Sequence, residues 1–311
     1  MAEAGAPVRI GLVGLGKIAR DQHLPVIAAS PDHRLVAVAS RGGGLDGVPS
    51  YGSVEAMLAG SPDVEAVALC QPPQARFGAA LAAIGAGRHV FLEKPPGATL
   101  AEVEILREAA RTRGVSLFAS WHSRYAPGVE PARLWLSGRR IRRVEIAWKE
   151  DVRHWHPGQD WIWQPGGMGV FDPGINALSI ATHILPPFHL TAASLAVPAN
   201  RQAPIAADLA FSDRDGAPVR AVFDWRQTGP QSWDIRVETG DGTLVLSRGG
   251  AALAIDGVAQ ALPPEAEYRG LYDRFAALIR AGESDVDLRP LIHVADAFLL
   301  GERRSVEPFV E

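Results

Sequence analysis

The sequence is poor in cysteine and has no long apolar run. Cys70 is the single cysteine among 311 residues, so no intramolecular disulfide can form. No apolar stretch approaches the ~20 residues that a membrane span needs, and no charged segment followed by a long apolar one opens the chain. The formal net charge of −4 argues against a nucleic-acid or anionic-membrane partner. We therefore expect a cytoplasmic protein without either partner. No His, Cys or Asp cluster has a metal-ligand spacing, so no metal site is predicted.

The chain does contain ample material for a core. Hydrophobic residues make up 47% of it and charged residues 21%, which are the values of a globular protein. Since domains of roughly 100–200 residues are the norm, the length is compatible with one large domain and favours two ordinary ones.

A glycine-rich turn follows the first apolar run. Gly14, Gly16 and Ala19 give the pattern G-x-G-x-x-A, in which the first glycine permits a tight turn and the second lets a pyrophosphate approach the backbone. The N-terminus of the following helix offers free N–H groups to the phosphates. The pattern therefore predicts a dinucleotide site. Its cofactor-binding residues in this turn are Gly14, Gly16, Lys17 and Ile18.

The end of the second strand indicates which dinucleotide binds. An acidic residue there would hydrogen-bond the adenosine ribose and repel a 2′-phosphate, but the sequence has Ser40 and Arg41. Ser40 can donate a hydrogen bond, and Arg41 can pair with a phosphate. We therefore predict that NADP is preferred and that NAD is still usable. In the alternative, Arg41 is only a surface residue before the glycine loop 42–44.

Strand and helix signals alternate up to about residue 122. A capping box at Thr99–Glu102 starts one of the helices. This rhythm predicts a Rossmann domain, a doubly wound parallel sheet, over residues 1–122. Lys94 follows a buried strand, at the sheet edge where such domains bind their ligands. The other cofactor-binding residues predicted at this edge are Cys70, Gln71, Pro72, Glu93 and Lys94 itself.

Residues 123–311 have the pattern of a second domain. Several strand-like runs follow one another, and Asp-Gly turns separate three pairs of them. Consecutive hairpins predict an α+β domain with a large, mostly antiparallel open sheet, whose broad face could support a homodimer. Two helices close the chain, and the last, at about 290–303, is expected to pack back on the first domain.

A polar loop in the second domain carries three tryptophans, Trp155, Trp161 and Trp163. Indole faces suit the C–H face of a pyranose, so Trp155 above all is a candidate for sugar stacking. Alternatively, these side chains form a satellite core or a dimer contact. His154 and His156 flank Trp155, and they could be pocket residues, solvated loop residues or metal ligands.

The glycine-rich run 166–174 leads into a predicted helix that has polar residues in its first turns. Asp172 and Asn176 are four residues apart, so they share one helix face and could point at one ligand. Alternatively, Asp172 only caps the helix.

Three motifs together carry a resemblance to a known family. The Rossmann turn at Gly14, the Glu93-Lys94-Pro95 run and the stretch from Gly166 to Asn176 resemble the Gfo/Idh/MocA oxidoreductase family. The resemblance covers essentially the whole chain. It implies that Lys94 contacts both the nicotinamide ribose and the reacting substrate. The family's second motif usually has histidine where this chain has Asn176, which cannot accept a proton at neutral pH.

Within that family, four runs are similar to the bacterial L-arabinose/D-galactose 1-dehydrogenases: 17–25, 121–124, 148–153 and 171–176. This similarity implies oxidation of the C1 hydroxyl of an aldopyranose to the aldonolactone, with NADP or NAD as acceptor. We expect Lys94 and Asp172 to act as a coupled catalytic pair. The alternatives are a dehydrogenase for inositol or another sugar, and a non-catalytic NADP-binding sensor. The sugar pocket implied by the similarity comprises His122, Glu150, Trp155, Asn176 and Trp233.

Overall fold

The structure is a computed structural model that describes residues 6–310. The strands are β1 (Val8–Val13), β2 (His33–Ala39), β3 (Ser50–Tyr51), β4 (Ala66–Leu69), β5 (His89–Leu92), β6 (Leu117–Ala119), β7 (Ile141–Lys149), β8 (Phe188–Pro198), β9 (Ala206–Asp213), β10 (Pro218–Asp224), β11 (Ser232–Thr239), β12 (Thr243–Ser247), β13 (Ala252–Ile255), β14 (Val258–Ala259) and β15 (Glu302–Val306). The α-helices are α1 (Leu24–Ala29), α2 (Val54–Gly60), α3 (Arg76–Gly85), α4 (Leu100–Arg113), α5 (Val129–Leu136), α6 (Val152–Trp155), α7 (Phe171–Ile184), α8 (Glu267–Ala281) and α9 (Arg289–Leu300).

The chain divides into two compact units. The first holds the chain up to His122 together with Tyr268–Asp287, and the second holds the rest. This division differs from the predicted one, 1–122 and 123–311, because the segment that carries most of α8 belongs to the first unit. The last helix, which we expect on the first domain, lies in the second unit and packs there on α7 and β8.

The first unit has the predicted parallel sheet. Its strand order is β3-β2-β1-β4-β5-β6, and every neighbouring pair is parallel. That order reverses direction at β1 and β4, the switch point outside which doubly wound sheets bind their ligands. β4 is buried throughout, and β5 is buried at all but its first residue. The Rossmann assignment is therefore confirmed.

Helix α8 belongs to the first unit because its aromatic side chains fill the core over β5 and β6. The ring of Tyr272 stacks on Phe91 at 5.2 Å, and Phe275 meets the edge of the same ring at 5.6 Å. Phe275 also stacks on Phe118 at 6.1 Å. Burying aromatic side chains of this size dominates the energetics of a core. These contacts lie far apart in sequence, so chain order alone predicts a different partner for the helix.

Local signals place several helix ends in this unit where the sequence predicts them. The Thr99 side chain accepts the Glu102 N–H, and the Glu102 carboxylate accepts the Thr99 N–H, so both bonds of the capping box are present. Gly114 ends α4 with a left-handed backbone, φ +70°. Such ends depend only on neighbouring residues, and for that reason they are visible in sequence.

The second unit is built on a sheet of order β14-β13-β12-β11-β7-β10-β9-β8-β15. All neighbours are antiparallel except β7 with β10 and β8 with β15, so the prediction of a mostly antiparallel sheet is confirmed. One part of the helix prediction is wrong: residues 302–303 are not helical. Gly301 has an extended backbone that ends α9, and β15 then pairs with β8.

Helix α7 lies in the core of the second unit. Nearly every residue from Phe171 to Ile184 is buried. Gly174 lets the helix approach β10, because a Cβ at that position would stand 2.6 Å from the ring of Phe223. The close approach fixes the first turns of the helix against the sheet, and Asp172 lies in those turns. Among residues 6–310, no helix has both the length and the apolar character needed to span a membrane.

Candidate active site

The glycine turn after β1 has the geometry of a dinucleotide-binding turn. Gly14 has φ +93°, and a Cβ there would lie 3.0 Å from the Gln71 nitrogen, so only glycine fits. Its N–H donates to the carbonyl of Ala39 at 2.8 Å. A Cβ on Gly16 would have no neighbour within 4 Å, so the space over this turn is open to a phosphate group. Both features fit a bound pyrophosphate.

The helix that follows the turn begins at Lys17 and contains a π-helical turn, Ala19–His23, before α1. Lys17 and Ile18 are exposed at its start, and Lys17 forms an ion pair with Asp21. The widened turn directs His23 into the core, where none of its surface is exposed. The sequence predicts a helix here, but it gives no sign of the wider turn.

Ser40 and Arg41, the two residues predicted to contact the adenosine ribose, lie at the end of β2. The Ser40 N–H donates to the carbonyl of Tyr51 at 2.9 Å, and its hydroxyl accepts the Gly42 N–H at 3.2 Å. Arg41 is exposed. A fixed hydroxyl beside a solvated guanidinium is an arrangement that suits a phosphate-bearing ribose.

The loop after β4 carries a buried polar atom next to the glycine turn. Cys70 is buried with 9% exposure, Gln71 is half-buried and Pro72 is exposed. The Gln71 side-chain oxygen Oε1 is buried and has no hydrogen-bond partner. Buried acceptors normally have a partner. Its position beside Gly14 therefore fits a bound cofactor.

Glu93 is a buried carboxylate whose two oxygens both accept hydrogen bonds. Oε1 accepts from the Tyr268 hydroxyl at 2.7 Å and from His23 Nε2 at 3.2 Å. Oε2 accepts the backbone N–H of Lys94 at 2.5 Å. Burial by itself would raise the pKa of this carboxyl, but the bond and charge of His23, with smaller contributions from His122 and Tyr268, bring it down to about 2. The carboxylate thus stays charged and fixes the backbone at Lys94.

His23 is the positive partner of that carboxylate. Its Nδ1 lies 2.8 Å from the Tyr272 hydroxyl. Burial would lower the pKa of the imidazole, but Cys70, Tyr272 and the bond to Glu93 raise it well above 6.5. An imidazolium donates through both nitrogens, which matches its two partners. The sequence gives no sign that His23 meets Tyr272, because 249 positions separate the two residues.

His122, predicted as a sugar-pocket residue, belongs to the first unit. Its ring stacks on Tyr268 with 5.5 Å between centroids and 17° between planes. The side chain is half-buried. The Tyr268 hydroxyl also donates to Glu93, the residue before Lys94. Tyr268 therefore connects His122 to Glu93.

In the second unit, the predicted residue Glu150 is the centre of a buried aromatic cluster. The residue is 3% exposed, immediately after β7. Its Oε2 accepts the Trp233 indole N–H at 2.9 Å, and its Oε1 accepts the Trp225 indole N–H at 3.3 Å. Trp233 reaches this position because it pairs with Trp148 across β11 and β7.

His156 joins this cluster to α7. Its Nε2 lies 3.7 Å from a Glu150 oxygen and 3.7 Å from an Asp172 oxygen. Its buried Nδ1 has no hydrogen-bond partner. Of the three roles left open for His156 by sequence, a pocket residue fits this position. In the described part of the chain, no group of three or more His, Cys, Asp or Glu residues could hold a metal ion.

The tryptophans of the loop separate into two groups. Trp155 is 37% exposed, and its ring lies 5.1 Å from that of Trp233, so the two form an accessible aromatic surface beside Glu150. Trp163 is buried against Trp225 and Phe309, at 5.2 and 5.6 Å, which is a core role. Trp161, the third tryptophan of the loop, is half-buried.

Helix α7 carries the last two predicted residues. Asp172 is 3% exposed, and its N–H donates to the Gly169 carbonyl at 2.8 Å. Asn176 is half-buried one turn later. The helix starts at Phe171, so Asp172 lies inside it and does not cap it.

Comparison with known proteins assigns the class. The family model GFO_IDH_MocA, described as an oxidoreductase family with an NAD-binding Rossmann fold, matches residues 8–120. Together with a full-length relative, this match shows that the chain belongs to the Gfo/Idh/MocA oxidoreductase family. The family resemblance drawn from sequence is confirmed.

Two relatives are similar over the whole chain. Galactose 1-dehydrogenase of Pseudomonas fluorescens is 50% identical over 308 residues, which cover 98% of this chain and 99% of the relative. The crystal structure of a D-galactose-1-dehydrogenase protein from Rhizobium etli is 60% identical, covers both chains fully and has a TM-score of 0.96. A 3-ketoreductase from Actinomadura kijaniata, 20% identical over 96% of this chain and 99% of its own, with a TM-score of 0.82, shares the fold.

Proposed function

We propose that this chain is an NAD(P)-dependent sugar 1-dehydrogenase. It oxidises the C1 hydroxyl of D-galactose and L-arabinose-type pyranoses to the aldonolactone. The observation that carries the proposal is the cluster at Glu150, a buried carboxylate bonded to Trp233, whose ring meets the accessible indole of Trp155. Such a pairing offers a pyranose an apolar face and a charged hydrogen-bond acceptor together. The names of the relatives at 50% and 60% identity agree with it.

Sugar recognition is assigned to five side chains. Glu150 accepts hydrogen bonds from ring hydroxyls, and Trp155 and Trp233 cover an apolar face of the ring. Asn176 and His122 orient further hydroxyls through an amide and an imidazole, groups that can both donate and accept. D-galactose and L-arabinose share their configuration at C2, C3 and C4, so one set of contacts accepts both. To this set we add His156, whose buried Nδ1 has no partner in the protein.

A bound nicotinamide cofactor would supply the acceptor for the hydride that leaves C1. The chain contributes the removal of the C1 hydroxyl proton, and we assign that task to Lys94 and Asp172 as coupled groups. Lys94 is anchored at its backbone N–H by the Glu93 carboxylate. Asp172 is buried near His156, within 3.7 Å. A positioned acid–base group of this kind contributes typically 10²–10⁴-fold.

For the cofactor we propose NADP as the preferred form, with NAD also used. Ser40 and the exposed Arg41 stand where an acidic residue would select NAD. An arginine fork can pair with the 2′-phosphate, a group that NAD lacks. A homodimer stays a prediction, which light scattering of the purified protein would check.

The first test is the initial rate of nicotinamide reduction. D-galactose, L-arabinose, D-fucose, D-glucose and myo-inositol are each offered with NADP and with NAD. We expect high rates for the first three sugars only, and a higher kcat/KM for NADP than for NAD. No reduction with any of the five, in protein that still binds NADP, would contradict the aldose assignment.

A second test separates the two catalytic groups. Lys94→Ala and Asp172→Asn are compared for kcat with D-galactose at several pH values, and each is expected to lose about 10²–10⁴-fold. Arg107→Ala serves as the control, because its exposed side chain pairs with Glu104 on the surface of α4. A Lys94→Ala enzyme that keeps more than about a tenth of kcat would contradict the role of the lysine.

A further inference from the structure

A fully buried arginine stands next to the strand end that carries Lys94. Arg76 is 2% exposed and is the first residue of α3. One guanidinium nitrogen, Nη1, donates to the carbonyls of both Glu93 and Pro95, and the other, Nη2, donates to the carbonyl of Gln71. The first two carbonyls belong to the residues on either side of Lys94. The third belongs to the loop after β4.

This is an unfavourable place for a cation. The N-terminus of a helix carries a partial positive charge, so an arginine at the first position is repelled by the helix dipole. Burial adds the cost of removing the guanidinium from water. Donation to three carbonyl oxygens offsets these costs, because a carbonyl pointing at a cation forms a strong charge-assisted bond. The arrangement is stable only while the three carbonyls keep their positions.

We infer that Arg76 is a positioning residue for Lys94: its guanidinium fixes the chain on both sides of the lysine and ties it to the Gln71 loop. The inference rests on the proposed role of Lys94 in catalysis. Arg76 acts through backbone carbonyls, so it affects the fraction of molecules in which Lys94 occupies its reactive position. A displacement of about 1 Å in a catalytic group can cost about 10²-fold in rate.

The shape of the guanidinium explains why arginine is needed. Its donors are arranged in a rigid planar fork, so a single side chain can serve carbonyls on two different loops. Lysine carries the same charge on a flexible stem and cannot hold three acceptors in one plane. Arg76→Lys therefore keeps the buried charge but loses the fixed geometry. Arg76→Met keeps the length and removes all the donors.

The experiment measures kcat, both KM values and local hydrogen exchange in Arg76→Met, with Arg88→Met as the matched control. Arg88 also donates to a backbone carbonyl, that of Pro62 at 3.0 Å, but it precedes β5 and so lies at the opposite end of that strand from Lys94. We expect Arg76→Met to lower kcat by about 10²-fold, with each KM changed less than about threefold. Amide exchange over 93–98 should accelerate in the free protein, while exchange in α4 stays unchanged. The control should keep wild-type values.

Two outcomes would overturn the inference. They are a kcat within twofold of wild type, and exchange that accelerates equally throughout the first unit. If Arg76→Met does not fold, Arg76→Lys is judged by the same criteria. Lys94→Ala separates the two proposals. If Lys94→Ala keeps the wild-type kcat, the proposed catalytic role of Lys94 is itself refuted. If Lys94→Ala loses kcat and Arg76→Met does not, only the inference fails.

Discussion

Removing the imidazole of His23 should destabilise the first unit strongly. In His23→Leu, the Glu93 carboxylate stays buried and loses its cationic partner, and the Tyr272 hydroxyl loses its partner as well. Two bonds remain to Glu93, from Tyr268 and from the Lys94 N–H. Breaking a buried ion pair from one side costs about 3–5 kcal/mol. We expect a loss in that range in the free energy of opening the first unit.

Hydrogen exchange measures that free energy at the right place. Amides of β5 exchange only when the unit opens, so their protection reports the opening free energy directly. Arg111→Leu is the control, since Arg111 pairs with Glu108 at 2.6 Å on the surface of α4 in the same unit, and exposed pairs contribute less than about 1 kcal/mol. If His23→Leu lowers the opening free energy no more than the control does, that result would refute the view that His23 and Glu93 form a buried ion pair.

The pH dependence of that free energy has a definite sign. Because the folded-state pKa of His23 is raised above its ordinary value, its contribution is complete below ~6.5 and is lost as pH rises through the raised value. The pKa of Glu93 is lowered from 4.5 to about 2, so its contribution is present above 4.5 and is lost as pH falls toward 2. Wild type should therefore lose stability on the alkaline side, and His23→Leu should lack that loss.

Three further predictions concern the two units separately. Arg41→Ala should raise KM for NADP about 10–100-fold, because it removes one charged hydrogen bond. In the same rate assay, KM for NAD should change little. Trp155→Ala should raise KM for D-galactose about tenfold, as the loss of one aromatic contact, whereas KM for NADP should stay constant. Gly174→Ala should cost about 1–3 kcal/mol in urea unfolding, because its Cβ would meet Phe223 at 2.6 Å; wild-type stability would show that α7 can shift.

The sequence predicts well those features that depend on neighbouring residues. The turn at Gly14 needs a residue with positive φ and no side chain, so glycine spacing reveals it. The capping box at Thr99 needs two residues three positions apart. The hairpins of the second unit follow from alternating apolar residues and their turns. Each of these is a short-range rule, and each is found in the structure.

Features that depend on distant residues are not visible in the sequence. The membership of α8 in the first unit follows from contacts of Tyr272 and Phe275 with β5 and β6, across more than 150 positions. Strand β15 is five residues long and highly charged, so its alternation is not that of a half-buried strand. His23 reads as an ordinary helix residue until its partner Glu93 is known. Pairing between distant residues decides all three cases.

Glu150 illustrates why the positions of supporting residues matter for specificity. A carboxylate offers about four lone-pair sites, and one indole N–H occupies a site on each of its oxygens. Each oxygen therefore keeps a site for a hydroxyl, and the two indoles fix the direction in which it points. Trp225 is fully buried, and its position in the sequence gives no sign that it bonds to Glu150. The selectivity among hydroxyl configurations should thus depend on Trp225 as well as on the residues that we propose to touch the sugar, because a carboxylate free to rotate would accept either epimer.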